Sequence, residues 1–171
     1  MNALFREVQR FTQLWLWIVL LAPAAFAWWA VIQQVGLGVP FGNNPGSDML
    51  VIILWLAMGV AMPGLMASLR LTTEVREDGI YARFVPFHLR WRRFAFSDLN
   101  TIEAKKYSPI MDYGGWGIRW SFVGTAYNVK GNMGIQLVLN NGKRVLIGTQ
   151  QPDAFMAAIA HARNQAAKRR L

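Results

Sequence analysis

Two long apolar runs occupy most of the chain before Arg70, and beyond them the period of the pattern changes. Leu14 to Val35 and Met49 to Leu69 contain no charged residue. Wound as helices, each rises about 30 Å, the thickness of a bilayer's hydrocarbon core. Pro23 and Pro63 interrupt them, which neighbouring helices and local adjustments can absorb within a membrane. Trp15 and Trp17 near one end of the first run, and Trp28 and Trp29 in its far third, fit interfacial aromatic belts. A secretory signal peptide competes with this reading, with Arg6 and Arg10 as its basic start and Ala25-Phe26-Ala27 as its cleavage site. However, the apolar run continues through Ile32 and a second run follows, so the pattern predicts a transmembrane hairpin over 14–69. Its spans are 14–35 and 49–69, joined by a short external loop, 36–48, and preceded by a cytoplasmic tail, 1–13. Ala57 with Ala61, and Gly64 with Ser68, have the small-residue spacing that lets helices approach closely.

From Leu71 the apolar positions alternate. Leu71, Thr73 and Val75 share one strand face, the turn Glu77-Asp78-Gly79 follows, and Ile80, Ala82 and Phe84 resume the alternation. Leu89 to Phe94 reads as a further strand, and Asn141-Gly142 as a tight hairpin turn. Pro152 and Asp153 open a helix whose apolar stripe is Phe155, Ile159, Ala162 and Ala166, with Lys168-Arg169-Arg170 suiting the negative end of its dipole. Residues 70–171 therefore read as one cytoplasmic domain, an up-and-down meander closed by a terminal amphipathic helix. The expected fold class is an α+β membrane protein, a two-helix hairpin followed by a seven-strand antiparallel barrel and its helix.

The segments Asp78-Gly79-Ile80-Tyr81, Arg92-Arg93-Phe94, Phe96-Ser97-Asp98-Leu99 and Pro152-Asp153-Ala154-Phe155 resemble those of bacterial pleckstrin-homology-like (PH-like) domains. In those proteins such a domain often follows a pair of transmembrane helices. Tyr113-Gly114-Gly115-Trp116-Gly117-Ile118-Arg119, with Ile147-Gly148-Thr149-Gln150, is similar to a small uncharacterised family of that architecture. The resemblance implies the PH-like barrel and no chemistry. Phosphoinositide-binding PH domains use basic residues in the loop between their first two strands. Here that loop is the acidic Glu77-Asp78-Gly79, so that property is not carried over.

Charge fixes the expected orientation. Of 18 basic residues only Arg6 and Arg10 precede Arg70, and of nine acidic residues only Glu7 and Asp48 do. Because the loop 36–48 has no Lys or Arg, the positive-inside rule places both termini in the cytoplasm of a multi-pass inner (plasma) membrane protein. With Leu71 directly after the second span, alternate connections of a meander return to the bilayer side. These collect Phe87, Tyr107, Ile110, Met111, Tyr113 and Trp116 with Lys105, Lys106 and Lys130. Apolar tips ringed by lysine suit an anionic leaflet; they equally suit another subunit or the covering of the barrel's end. Arg119, closing the Gly-rich motif, is a candidate anion contact.

Catalysis finds little support. The chain has no cysteine and two histidines, His88 and His161, without carboxylates at metal-ligand spacing. No phosphate-binding loop or nucleophile elbow is present. Arg90, Arg92 and Arg93 fall on alternating faces, which argues against a nucleic-acid strip. The expectation is a non-catalytic scaffold or adaptor without cofactor or metal. It would bind inner-leaflet lipid and a protein partner, or form a homo-oligomer; the alternative is lipid or small-molecule binding by the aromatic, Gly-rich loop 107–120.

Overall fold

The N-terminal residues are not a free tail. In the structure, a computed structural model that describes residues 3–168, Phe5–Arg10 forms strand β1 and pairs along its whole length with β2 (Arg70–Arg76), from Phe5↔Val75 to Arg10↔Arg70. The chain accordingly divides into a helical unit, Phe11–Leu69, and a β domain built from the segments on both sides of it.

The helical unit holds two helices long and apolar enough to cross a membrane, α1 (Leu14–Gly36) and α2 (Asp48–Ser68). Their bounds lie within a residue of the expected runs. The contact stripe lies mainly on α1, where Leu20, Ala24, Ala27, Ala30 and Gln34 are buried, whereas α2 buries none of its residues fully. Gly59, which is not among the small residues expected to allow close approach, supplies a contact between the helices. Residues Trp55–Ala61 widen into a π-helical segment, and the Gly59 carbonyl accepts the Trp28 indole N–H at 3.1 Å. Trp28 and Trp55 meet edge to face at 5.0 Å. Gln34 closes the loop end of the pair. Its amide donates to the Gly46 carbonyl and to Asp48 Oδ1, both at 2.8 Å, holding the loop against α1.

The β domain holds nine strands in two sheets and no closed barrel, which corrects the seven-strand meander. The first sheet has the order β1-β2-β3-β4, with β3 spanning Gly79–Val85 and β4 spanning Arg92–Ala95. The second contains β5 (Leu99–Lys106), β6 (Gly117–Ser121), β7 (Gly124–Asn128), β8 (Met133–Leu139) and β9 (Arg144–Gly148), in the order β5-β8-β9-β7-β6. Here β9 inserts between β8 and β7 and runs parallel to β7. An up-and-down reading allows only antiparallel neighbours, so it could not yield this order. Gly124 makes the insertion possible. Its φ is +136°, and a Cβ there would collide with the Arg144 carbonyl.

Leu71, Val75, Ile80, Phe84, Ile135, Leu137 and Ile147 are fully buried along the strands. Helix α4 (Pro152–Lys168) covers them with Phe155, Ile159 and Ala162, and Phe155 stacks on Phe5 of β1 at 4.9 Å. Arg169 and Arg170, expected in the last helical turn, lie outside the described residues. A short helix, α3 (Pro109–Tyr113), interrupts the Gly-rich stretch. Ser108 caps it by accepting the Met111 N–H, and Asp112 returns the bond from the Ser108 N–H at 2.9 Å.

Candidate interfacial surface

Register locates the surface the sequence pointed to. Arg10, Arg70 and Val85 end their strands together in the first sheet. In the second sheet Lys106 pairs with Met133, Gly134 with Gly148, and Gly117 with Asn128. The Gln9 amide donates to the Gly148 carbonyl at 2.7 Å, and the His88 ring meets Tyr127 at 5.7 Å, so these strand ends share one end of the domain. The connections 86–88, 107–116, 129–132 and 149–151 are therefore grouped there.

The expected residues separate by burial. Phe87, Ile110 and Met111 are exposed, Met111 most of all at 85%. Lys105 and Lys106 are exposed beside them and Lys130 is half-buried. Tyr107 and Tyr113 are not on the surface, which corrects their place in the rim: they are 5% and 4% exposed and pack edge to face at 5.9 Å. With Ala126 and Leu146 they form a small core under α3. Burial pushes the Tyr107 phenol up to about 12, with the Asn128 side chain pulling the other way. Burial also raises Tyr113, helped by the neighbouring Asp112. The two tyrosines serve as the footing from which Ile110 and Met111 project.

Trp116 is half-buried. The glycines around it adopt positive φ at Gly114, Gly115 and Gly117. The buried Asn128 holds this bend, accepting the Gly117 N–H at 2.9 Å and donating to the Gly115 carbonyl at 3.5 Å. Trp120, four residues further on, is 76% exposed. Arg119 is exposed, and its Nε donates to the Trp116 carbonyl at 2.9 Å, so it braces the bend.

The outer face of the first sheet is rich in arginine. Glu74 is buried there and paired by Arg76 at 2.6 Å and Arg6 at 3.5 Å, while Arg93 pairs with Asp78 at 3.0 Å. The guanidinium of Arg76 covers the Tyr81 ring, and that of Arg83 covers Trp91. The rings thus hold the cations in place. Asp78 accepts the Tyr81 hydroxyl at 2.7 Å; burial first, and then this acid, raise the Tyr81 phenol.

One inward residue escaped sequence reasoning altogether. Glu7 of β1 is buried, accepting the Thr149 hydroxyl at 2.6 Å and the Gln150 N–H at 2.9 Å. It ties the N-terminal strand to the turn entering α4.

A family model matches residues 1–165. The chain belongs to the family of unknown function DUF6141. Membership spans β1, the helical unit and nearly all of the β domain, so the match treats the interrupted architecture as one entity. Neither a curated protein nor a solved structure matches this DUF6141 chain.

Proposed function

We propose that this protein is a non-catalytic, membrane-anchored binding module, PH-like in kind, whose domain engages the inner leaflet and partners assembled there. The observation that carries the reading is the end of the domain where β1 and β2 lead into the helical unit. That end presents Phe87, Ile110 and Met111 as exposed tips with Lys105 and Lys106 beside them. The chain ties this end to the helical unit through Phe11–Gln13 on one side and Leu69 on the other. Apolar side chains can then enter the headgroup region, while each lysine near an anionic surface adds about 1 kcal/mol.

The pairing of β1 with β2 also supports an inside location for both termini. It requires the chain to leave and re-enter on the same side, as two spans do and one does not. The arginines lie on that side, at Arg6, Arg10, Arg70 and Arg76, and none lies in the helix–helix loop. A binding role fits the surroundings of the two histidines, since His88 meets a tyrosine ring and His161 meets Gln165.

The cysteine-free chain allows a direct test. Met111→Cys and Phe122→Cys, each carrying a bimane label, are placed in nanodiscs containing headgroup-nitroxide lipid. The expected result is strong quenching at position 111 and little at position 122. Replacing zwitterionic by anionic lipid should deepen the former, and Lys105→Glu with Lys106→Glu should reverse that gain. Equal quenching at both positions would remove the interfacial reading.

A further inference from the structure

At the opposite end of the domain the two sheets part and leave an open cleft of about 760 Å³. Arg92 and Phe94 of β4 line one side of it. Trp120 and Phe122, from β6 and the β6–β7 turn, line the other, and Lys143 and Arg144 lie at the start of β9. The volume lies within the range of ordinary ligand sites, about 300–1,000 Å³. Its chemistry is one-sided: three cations and no carboxylate line it.

Register shows that two of these side chains occupy positions expected to be core. Arg92 pairs with Ala82 and Trp120 with Thr125. Paired residues share a sheet face, so Arg92 lies on the side of the buried Ala82, Ile80 and Phe94. It is nevertheless exposed, and Trp120 is 76% exposed. Inward-facing positions that remain open, carrying an arginine and a tryptophan, are the residue types that dominate binding hot spots. Phe122 at the turn tip is fully exposed, and the close approach of Gly124 to the Arg144 carbonyl fixes that turn against β9.

The cleft is also bordered by the ends of two sheet orders. Among the described residues β4 closes the first sheet and β6 the second, so each has one edge without a strand partner. Such an edge offers backbone donors and acceptors to an extended chain.

We propose that this cleft docks an acidic, extended segment of a partner protein. The segment adds as a strand to the free edge of β6; Arg92, Lys143 and Arg144 pair its carboxylates, and Trp120 covers its apolar side chains. Lipid is the less suitable occupant, because the cleft opens at the end of the strands away from Arg10 and Arg70. The inference stands apart from the interfacial reading, since it uses none of the same residues.

The test uses the full chain in zwitterionic nanodiscs and a fluorescein-labelled nonapeptide alternating glutamate with valine, followed by anisotropy at low salt. Saturable binding is expected. Trp120→Ala, and separately Arg92→Glu with Arg144→Glu, should each weaken it at least tenfold; these side chains are exposed, and unchanged circular dichroism confirms folding. Methylating the valine nitrogens in one peptide and the glutamate nitrogens in another removes the donors along one edge or the other, and one of the two should weaken binding at least tenfold. Lys105→Glu with Lys106→Glu, at the other end, should leave it unchanged. Four outcomes overturn the proposal: no saturable binding, full binding of both N-methylated peptides, an equal loss from the Lys105/Lys106 reversal, or displacement of the peptide by anionic vesicles whose own binding needs Trp120.

Discussion

Replacing Glu7 by alanine tests whether the N-terminal strand belongs to the domain as the hydrogen bonds indicate. Glu7 accepts from the Thr149 hydroxyl and the Gln150 N–H, and Thr149 Oγ1 in turn accepts the Gln151 N–H at 3.0 Å. Truncation therefore removes the acceptor from two donors and loosens the turn that opens α4. Hydrogen bonds to a charged acceptor are worth about 1.5–3 kcal/mol each. The variant also escapes the cost of burying the carboxylate, so the net loss falls below the sum. A loss of about 2–4 kcal/mol remains. Hydrogen exchange on the full chain in nanodiscs reads it directly. Amides of Phe5–Arg10 and of β9 should exchange about 30- to 700-fold faster, at tenfold per 1.4 kcal/mol. Amides of α1 and α2 should keep their wild-type rates. Glu7→Gln retains one oxygen for one donor and should show an intermediate effect. Protection of β1 within threefold of wild type in Glu7→Ala would refute the reasoning, leaving the strand held by its pairing with β2 alone.

Further expectations follow from the same geometry. Gly59→Ala would place its Cβ 2.9 Å from Trp55 Cδ1 and 3.2 Å from Trp28 Cδ1; overpacking of this kind costs about 1–3 kcal/mol, read as a lower resistance of the helical unit to denaturing detergent and a shifted tryptophan emission. Asn128→Ala leaves the Gly117 N–H without its acceptor, at about 1–3 kcal/mol, with faster exchange at Gly117 as the measurement. His88 is lowered from its usual value by burial, with Arg92 adding to the shift. The neutral ring is favoured by the fold, so its contribution is present above the unfolded value near 6.5 and is lost as pH falls through the lowered folded value. Thermal midpoints should drop between pH 7.5 and 5.5, and His88→Asn should flatten that dependence.

What the sequence revealed follows from where polar side chains point. The helices of the helical unit were legible because a charge-free run of that length has few other uses. β2 and β3 were legible because Leu71, Val75, Ile80 and Phe84 alternate in the ordinary sense, apolar inward. β1 alternates in the opposite sense. It turns Glu7 and Gln9 inward, both nearly fully buried, and leaves Val8 47% exposed, so its pattern reads as a polar tail. Helix α3 was signalled by Ser108-Pro109 and Asp112, but one turn is too short to show helical periodicity. Tyr107 and Tyr113 were misjudged because an aromatic side chain looks the same in sequence whether it crowns a loop or supports it. The parallel β7–β9 pair had no local signal, since strand order depends on contacts distant in sequence.

The placement of the helical unit between β1 and β2 explains why inward polar residues are needed on β1. In an ordinary hairpin a two-residue turn brings the strands together. Here the insertion is about sixty residues, and closing a flexible loop of that length would cost roughly 3 kcal/mol more than closing the short turn. A preformed antiparallel pair of helices removes most of that cost by returning the chain close to where it left. The Trp28–Gly59 bond at mid-helix and the Gln34 contacts at the loop are what keep the pair closed. The helices thus act as the turn of the β1–β2 hairpin. β1, however, is an edge strand with only one neighbour in its sheet. The bonds from Glu7 to Thr149 and Gln150, and from Gln9 to Gly148, supply a second attachment. They secure the strand from its inner face while its outer face presents Arg6 and Arg10.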